Sequence, residues 1–286
     1  MATAVVGVLA TALIRAQDPH LSAVSAVVSF PSRVARKRDA MTDANVAGFE
    51  PLYDEAGQTG GRIPWDIGGP QPAVQQLVAY GGIRGEVLDP GTGPGYHAIH
   101  FAAHGYSATG IDDSPSAIER AKRNAERAGV EVDFQVADAT RLEGFDGRFD
   151  TVVDSAFYHV FLNDGVVQTR YAQALHRATR PGARLYMFEF SPHNVNGLQW
   201  TAIPADNFER VFGANGWRID YLGGTTYQAR FLKETFDAMK TFASDQQGEI
   251  LQRMRPLVHR LGVIDPLLED HRVHLPVWSV VATRLD

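Results

Sequence analysis

The sequence predicts an α/β fold built around a doubly wound, mostly parallel sheet, and three observations support this. The segment 87–95 (VLDPGTGPG) reads as a buried strand that runs into a glycine-rich turn, with a helix beginning near Tyr96. A second apolar run, 107–111, ends at Asp112, which lies 21 residues after Gly91. Further strand and helix patterns alternate along the chain, as in sheets whose parallel strands are joined by crossover helices.

The glycine turn and Asp112 indicate a cofactor that carries a nucleoside. Glycines at alternate positions let the backbone turn sharply and approach a ligand, since no Cβ intervenes. A carboxylate at the end of the second strand stands where such folds bind a ribose diol. Asp112 could instead cap the next helix, although Ser114 already offers that cap. We therefore expect Asp112, with Asp113 beside it, among the cofactor-binding residues.

Two kinds of cofactor fit this pattern. A dinucleotide-binding turn reads G-x-G-x-x-G, and its third glycine allows close helix–strand contact beneath a pyrophosphate. Here Tyr96 occupies that third position, and the glycine stands one residue earlier, at Gly95. Asp89 lies two residues before the first glycine, where its charge repels a pyrophosphate but suits a ligand with an ammonium and a sulfonium. Asp89 could also cap the loop amides.

The patterns after Asp112 continue the alternation. Ser114 is placed to cap a helix that runs to Arg127 and ends at Gly129. Open α/β sheets bind ligands at the carboxyl ends of their strands, so Asp154, near the end of strand four, is expected at the site. The three further strands are predicted at residues 132–136, 149–155 and 184–190.

In this order, the turn 89–95 (DPGTGPG), Asp112, the loop 137–139 (ADA), strand four and the turn 180–183 (RPGA) resemble motifs of the class I S-adenosylmethionine-dependent methyltransferases. Ala183 departs from the usual second glycine of the last motif. The resemblance implies S-adenosylmethionine as cofactor and a Rossmann-like, seven-stranded sheet with an antiparallel last strand. The acid of the ADA loop could also be an ordinary turn residue. The implied cofactor contacts are Asp89, Gly91 and Gly93 at the methionine end, Asp112 at the ribose, and Asp138 with Ala139 at the adenine.

The segment 64–72 (PWDIGGPQP), with 147–150 (GRFD) further along, looks like the thiopurine-methyltransferase-like group. Bacterial members of that group include enzymes that methylate heterocyclic or quinone toxins. The resemblance covers residues 49–231 and the last strand, predicted at 277–284. In such enzymes the Trp-Asp segment lies over the methionine end, which implies that Trp65 covers the sulfonium through a cation–π contact. Trp65 could instead only anchor its segment to the sheet.

A methyl transfer requires a nucleophile aligned with the methyl–sulfur bond in a pocket that excludes water. A base is needed where that nucleophile is a neutral hydroxyl. His159, which follows strand four, is the candidate because imidazole ordinarily titrates near neutral pH, although it could contribute packing alone. Aromatic residues expected around the mouth of the site suit a flat, apolar acceptor such as a phenol, quinol or heterocycle: Tyr53, Trp65, Phe157, Tyr158, Phe161, Phe190 and Trp200.

The amino-acid composition limits the kinds of partner that the protein is expected to bind. With 286 residues, 44% of them hydrophobic, the chain can bury one substantial core. A net charge of -6 argues against nucleic acid as partner. Cysteine is absent, which excludes disulfides, thiolate metal sites and a thiol nucleophile, and the ten histidines show no metal-ligand spacing. We expect a cytoplasmic enzyme with a small-molecule acceptor, no metal and no stable membrane association.

Two segments stand apart from the predicted domain, 41–286. Residues 1–40 carry five basic and two acidic residues, and their apolar run 2–14 is shorter than the about 20 residues that a membrane span needs. This segment could be a loose extension or an interfacial anchor. We interpret 1–40 as a non-native or disordered extension, with Met41 as the biological start. Residues 232–275 are expected to form a helical insertion before the last strand. This insertion could roof the acceptor pocket, form a subunit contact, or merely cover the sheet edge.

The function predicted from these observations is transfer of a methyl group from S-adenosylmethionine to O, S or N of a small, aromatic or heterocyclic molecule. One alternative is a non-catalytic sensor that binds S-adenosylmethionine. Another is an NAD(P)-dependent oxidoreductase, which is disfavoured by Tyr96 in place of the third glycine and by the lack of a Tyr-x-x-x-Lys pair after strand four.

Overall fold

The computed structural model describes residues 49–50, 53, 63–162, 164–198, 202–231 and 259–286. The predicted extension 1–40 lies outside these residues. So do Trp200 and residues 232–258 of the predicted insertion.

Seven strands form one sheet in the order β3-β2-β1-β4-β5-β7-β6. Neighbouring strands from β3 to β5 pair in parallel, whereas β7 is antiparallel to both β5 and β6. This confirms the predicted α/β, doubly wound architecture with an antiparallel last strand. The strands are β1 (Glu86–Pro90), β2 (Ser107–Asp112), β3 (Asp133–Val136), β4 (Phe149–Ser155), β5 (Thr179–Phe190), β6 (Trp217–Arg230) and β7 (Arg272–Arg284).

Helices cover both faces of the sheet, and each face has its own buried core. On one face, Val74, Phe101 and Ile118 pack against β1 and its neighbours. On the other face, Leu175 and Phe208 pack against β4 and β5. The helices are α1 (Pro72–Ala79), α2 (Tyr96–Ala103), α3 (Pro115–Ala128), α4 (Gly165–Ala178) and α5 (Ala205–Val211).

The predicted boundaries of α3 are confirmed by its caps. The Ser114 hydroxyl accepts a hydrogen bond from the Ala117 amide at 3.0 Å, and Gly129 ends the helix with a left-handed conformation. Such caps satisfy backbone groups that a helix leaves without partners at its ends.

Two strands begin earlier than predicted: β5 at Thr179 rather than at residue 184, and the last strand, β7. β6 and β7 pair from Trp217 with Arg284 to Arg230 with Arg272, with one shift of register between Ile219 and Tyr221. The last strand therefore begins at Arg272, five residues before the predicted start and inside the predicted insertion 232–275. Arg272 and His274 are exposed and alternate with buried residues. Because only every second residue here is apolar, an apolar run does not mark the start of the strand. Residues 259–264, just before it, are helical.

Candidate active site

The candidate site lies at the carboxyl ends of β1, β2 and β4. β1 lies between β2 and β4 in the sheet. The chain continues from β1 to β2 and β3 on one side and then returns to β4 on the other side, so the strand order reverses at β1. Open parallel sheets bind ligands in the crevice that forms at such a reversal. The turn 91–95, here called the glycine loop, leaves β1 at this crevice.

The glycine loop depends on the lack of side chains at its first two glycines. Gly91 and Gly93 have φ angles of +66° and +50°, which side chains disfavour. A Cβ on Gly91 would lie 2.1 Å from the Phe157 ring, and one on Gly93 would lie 2.6 Å from the Tyr53 hydroxyl. The lack of side chains at both glycines therefore allows Phe157 and Tyr53 to pack directly against the loop.

Gly95 performs the packing role that a dinucleotide-binding turn gives to a later glycine. It caps α2 with a φ of +81°, and a Cβ here would lie 2.8 Å from Ala121 Cβ and 2.6 Å from the Phe134 ring. Close contact between α3, β3 and the loop is thus achieved one residue earlier than in G-x-G-x-x-G.

Asp112 is bound to the glycine loop. Its Oδ2 accepts a hydrogen bond from the Gly93 amide at 3.0 Å, and its Oδ1 accepts one from the Ser114 amide at 3.0 Å. Burial raises the pKa of Asp112 to about 6. Burial and the neighbouring Asp112 raise the pKa of Asp113 to about 7. The two acids form a linked pair at the end of β2, where a ribose is expected.

Asp89 is buried beneath the loop. Its carboxylate accepts a hydrogen bond from the Thr92 hydroxyl at 2.6 Å, and its other oxygen lies 3.8 Å from His97 Nδ1. Among the described residues, Asp89 is thus held by a hydroxyl and an imidazole rather than by the loop amides that the alternative interpretation invoked.

Trp65 and Tyr53 cover the loop. The Trp65 indole N–H donates to the Tyr53 hydroxyl at 3.2 Å, and the Trp65 and Phe49 rings meet at 6.0 Å. Glu50 binds the start of α3, where it accepts a hydrogen bond from the Ser116 amide at 3.2 Å. Trp65 therefore anchors its segment, and its contact with the methionine end stays a prediction.

The predicted adenine-binding loop follows β3. The Ala137 amide donates to the Asp112 carbonyl at 3.0 Å, so this loop runs beside the end of β2. The exposed Asp138 carboxylate accepts hydrogen bonds from the amide and hydroxyl of Thr140 at 2.8 and 2.7 Å, and Ala139 is buried. Asp138 thus forms the turn contact of the alternative interpretation, and its contact with adenine stays a prediction.

Asp154 lies at the end of β4 as predicted, but its carboxyl group faces the interior. It has no exposed surface, and its Oδ2 accepts a hydrogen bond from the Tyr171 hydroxyl at 2.7 Å. Its Oδ1 contacts the amides of Phe157 and Tyr158 at 3.2 and 3.3 Å. Because these groups surround the carboxyl, we correct the expectation of direct cofactor contact to a supporting role.

Glu189, which sequence analysis missed, lies beside Asp154 on β5. Its fully buried carboxylate accepts hydrogen bonds from the amides of Phe157 and Tyr158 at 2.8 and 2.9 Å. Burial raises the pKa of Glu189 to about 7 and that of Asp154 well above its usual range. A lone acid within the apolar run that ends β5 was the signal available in the sequence.

His159 meets Glu189 where β4 and β5 end side by side. His159 Nδ1 lies 3.2 Å from Glu189 Oε2, and the His159 side chain retains 21% of its exposure. Burial lowers the pKa of His159 to about 4, so the imidazole is neutral near pH 7. Ala156, which leads into this segment, has a φ of +58°, a strained conformation of the kind that functional sites retain.

The predicted aromatic residues divide between pocket and core. Phe190 lies against His159, with 4.8 Å between ring centroids, and against Tyr227 at 6.3 Å. Phe157 covers Gly91. Tyr158 is fully buried and belongs to the core, since its hydroxyl donates to Asn207 at 2.8 Å. Tyr227 was not among the predicted aromatic residues.

The described residues contain no group of histidines and acids that could hold a metal ion. No helix in the described part of the chain is long and apolar enough to cross a membrane. The donor and acceptor set fits a nucleoside with a cationic tail: a glycine loop at the carboxyl end of β1, a carboxylate pair for a diol, and the buried acid Asp89.

Comparison with known proteins also indicates a methyltransferase. Residues 87–182 match the family described as "Methyltransferase domain". A 2-heptyl-1-hydroxyquinolin-4(1H)-one methyltransferase of Mycobacteroides abscessus is 39% identical over 159 residues, which cover 52% of this chain and 68% of that protein. "Probable thiol methyltransferase 2" of Arabidopsis thaliana is 28% identical over 174 residues, 60% of this chain and 74% of that protein.

A solved structure gives a match over most of the chain. The structure described as "Conversion of a Disulfide Bond into a Thioacetal Group during Echinomycin Biosynthesis" has a TM-score of 0.64 and 30% identity, and covers 84% of this chain and 92% of that one. These relatives favour a methyltransferase over the oxidoreductase and sensor alternatives. The chain therefore belongs to the class I S-adenosylmethionine-dependent methyltransferases, and S-adenosylmethionine is its cofactor.

Proposed function

We propose that this enzyme methylates an oxygen, sulfur or nitrogen atom of a small aromatic or heterocyclic molecule. The observation that carries the proposal is the position of the His159 imidazole, which contacts Glu189 and is flanked by Phe190 at the edge of the sheet where we expect the cofactor to bind. An imidazole between a buried acid and an aromatic wall suits a flat acceptor that must lose a proton.

The named substrates of the relatives support this acceptor class. The mycobacterial relative acts on a hydroxyquinolone, a flat heterocycle with an exchangeable proton, and the plant relative carries the name of a thiol methyltransferase. The hydroxyquinolone is a small molecule, and the net charge of -6 gives this chain no overall electrostatic attraction for nucleic acid.

In this proposal, different residues of the chain bind different parts of the cofactor. We propose that the loop floor and its cover enclose the methionine end and exclude water, which strengthens the electrostatic interactions inside the site. The acids at the end of β2 bind the ribose hydroxyls. The proposed contacts are Trp65, Asp89, Gly91 and Gly93 for the methionine end, Asp112 and Asp113 for the ribose, and Asp138 with Ala139 for the adenine.

When bound, S-adenosylmethionine supplies a methyl group on positively charged sulfur, which is already strongly electrophilic. The chain therefore has to orient the acceptor and remove its proton. Phe157, Phe190 and Tyr227 orient a flat ring, and His159 accepts the proton at Nε2 while Nδ1 is held by Glu189. Correct orientation alone can lower the barrier by about 7–11 kcal/mol.

The test is transfer of labelled methyl from S-adenosylmethionine to a panel of acceptors, with products identified by mass spectrometry. The panel contains 2-heptyl-1-hydroxyquinolin-4(1H)-one, a phenol, a quinol and an arylthiol. We expect a methylated product from at least one of them. If no acceptor is methylated while calorimetry shows that the cofactor binds, the proposal is wrong.

A further inference from the structure

We propose that Glu189 is the residue on which the acceptor's proton comes to rest, delivered through His159, and that Asp154 remains neutral and donates a hydrogen bond to Glu189. This inference rests on the proposed function, since it concerns the proton that methylation releases. It adds a buried acid pair that acts through His159, of which the sequence indicated only Asp154, and it bears on the chemical nature of the acceptor.

The first step is that Glu189 is built to hold a negative charge inside the protein. Its two oxygens accept four hydrogen bonds, all from the segment that follows β4. The amides of Phe157 and Tyr158 donate to Oε1 at 2.8 and 2.9 Å, and the amide and ring Nδ1 of His159 lie 3.2 Å from Oε2. A buried carboxylate requires such donors to offset the loss of water.

The second step is that Asp154 keeps a proton. Asp154 and Glu189 are both without exposed surface and are hydrogen-bonded to each other. Two carboxyl groups in contact inside a protein cannot both ionise. Asp154 is the neutral member, because burial and the neighbouring Glu189 raise its pKa well above the usual range and its amide contacts, at 3.2 and 3.3 Å, are the longer ones.

The third step is that His159 connects this pair to the pocket. An ionised Glu189 fixes the proton of the neutral imidazole on Nδ1, which leaves Nε2 as an acceptor. No described residue is hydrogen-bonded to Nε2, and the ring keeps 21% exposure beside Phe190. Nδ1 of the imidazole therefore contacts the buried Glu189, whereas Nε2 lies on the far side of the ring from it.

The fourth step concerns where the proton is more stable. Burial lowers the pKa of His159 to about 4 and raises that of Glu189 to about 7. An imidazolium beside an ionised Glu189 would place two charges where Glu189 has no exposed surface, whereas a proton on Glu189 Oε2, 3.2 Å from Nδ1, leaves both groups neutral. The titratable groups that face the pair or lie near it are Tyr171 of α4, Tyr158 and His159 after β4, Tyr227 of β6 and Arg210 of α5.

The proton balance is complete within these residues. The acceptor O–H bond breaks and Nε2–H forms, while Nδ1–H breaks and Glu189 Oε2–H forms. The acceptor oxygen keeps the electron pair of its O–H bond and uses it to bond the methyl carbon, whose former pair stays with sulfur. After the product leaves, the proton returns to solvent through His159.

This arrangement favours an acceptor that is protonated before attack, such as a hydroxyl or a ring N–H. A thiol that is already ionised needs no relay. The expected rate effects of removing the relay therefore depend on the acceptor. A merely structural role for Glu189 would impair both kinds of acceptor alike.

The first experiment measures the protonation of the Asp154–Glu189 pair in the absence of any acceptor. Infrared difference spectra between pH 5.5 and pH 8.5, recorded with bound S-adenosylhomocysteine, report the carbonyl stretch of protonated carboxyl groups. Asp112 and Asp113, with pKa values of about 6 and 7, contribute bands that Glu189→Gln leaves in place. We expect a further band with a midpoint of about 7 to vanish in Glu189→Gln but not in Glu143→Gln, an exposed control. A difference spectrum unchanged by Glu189→Gln would overturn the proposal.

The second experiment compares two acceptors, a phenol that is neutral at the assay pH and an arylthiol that is ionised. We expect Glu189→Gln and His159→Asn each to lower kcat for the phenol by about 100-fold or more, and to leave kcat for the arylthiol little changed. Equal losses for both acceptors would overturn the relay. Calorimetry with S-adenosylhomocysteine identifies any variant that has failed to fold. Absence of methyl transfer by the wild type would refute the proposed function instead, while the infrared titration still decides on the acid pair.

Discussion

The Gly93 amide donates a hydrogen bond to Asp112 Oδ2 at 3.0 Å, which joins the turn after β1 to the acid that ends β2. The Thr92 amide adds a second link, to the Ile111 carbonyl at 2.8 Å. Loop and acid are therefore one preorganised unit. A change in either should therefore alter the shape of the proposed cofactor site.

The third glycine of the loop is expected to be essential for packing. Gly95→Ala places a Cβ 2.8 Å from Ala121 Cβ, whereas Gly105→Ala meets nothing within 4 Å at a similar φ of +84°. Both variants carry the same backbone strain, so their difference isolates crowding. We expect Gly95→Ala to lower the free energy of unfolding by about 1–3 kcal/mol more than Gly105→Ala in urea denaturation. Equal losses would show that crowding at Gly95 is relieved without cost.

The Pro-Gln-Pro segment should stabilise the fold through Gln71. Its buried side-chain amide pairs with both backbone groups of Gln228 on β6, at 2.9 and 2.8 Å. Gln71→Ala leaves these two groups without partners, at about 1–3 kcal/mol each. We expect its free energy of unfolding to fall by at least about 2 kcal/mol, while Gln76→Ala, an exposed control on α1, changes it little. A near-neutral Gln71→Ala would mean that water replaces the lost amide.

The buried acid Glu189 should make stability depend on pH. Its pKa is about 7 in the folded protein against an ordinary value near 4.5, so the folded state binds an extra proton between these values. The free energy of unfolding should therefore fall as pH rises from about 4.5 to 7, by up to ~1.4 kcal/mol per pH unit for one proton. Glu189→Gln should remove that part of the slope. Denaturation midpoints across this range with an unchanged slope in the variant would contradict the assignment.

Much of the fold could be predicted because local patterns agree with the sheet. β2 and β4 have the bounds that their apolar runs predict, and α3 begins and ends at its predicted caps. The predicted start of β7 was wrong because Arg272 and His274 are exposed. Next to a predicted helix, the alternation of these polar residues with apolar ones resembles the surface of a helix.

The acid pair could not be predicted from local patterns. Asp154 and Glu189 lie on neighbouring strands far apart in the sequence, and only the pairing of β4 with β5 brings them together. In the sequence, Asp154 looks like a ligand-facing residue because it stands near a strand end. Side chains alternate between the two faces of a strand, and Asp154 points to the face covered by α4, where Tyr171 binds it.

The most direct test of the cofactor site is calorimetry with S-adenosylhomocysteine on wild type, Asp112→Ala and the exposed control Asp146→Ala. Asp112→Ala removes the expected ribose contact and the partner of the Gly93 amide, so we expect Kd to rise at least about tenfold, which corresponds to ~1.4 kcal/mol. Asp146→Ala should bind like the wild type. An unchanged Kd for Asp112→Ala would contradict the account of how this chain holds its cofactor.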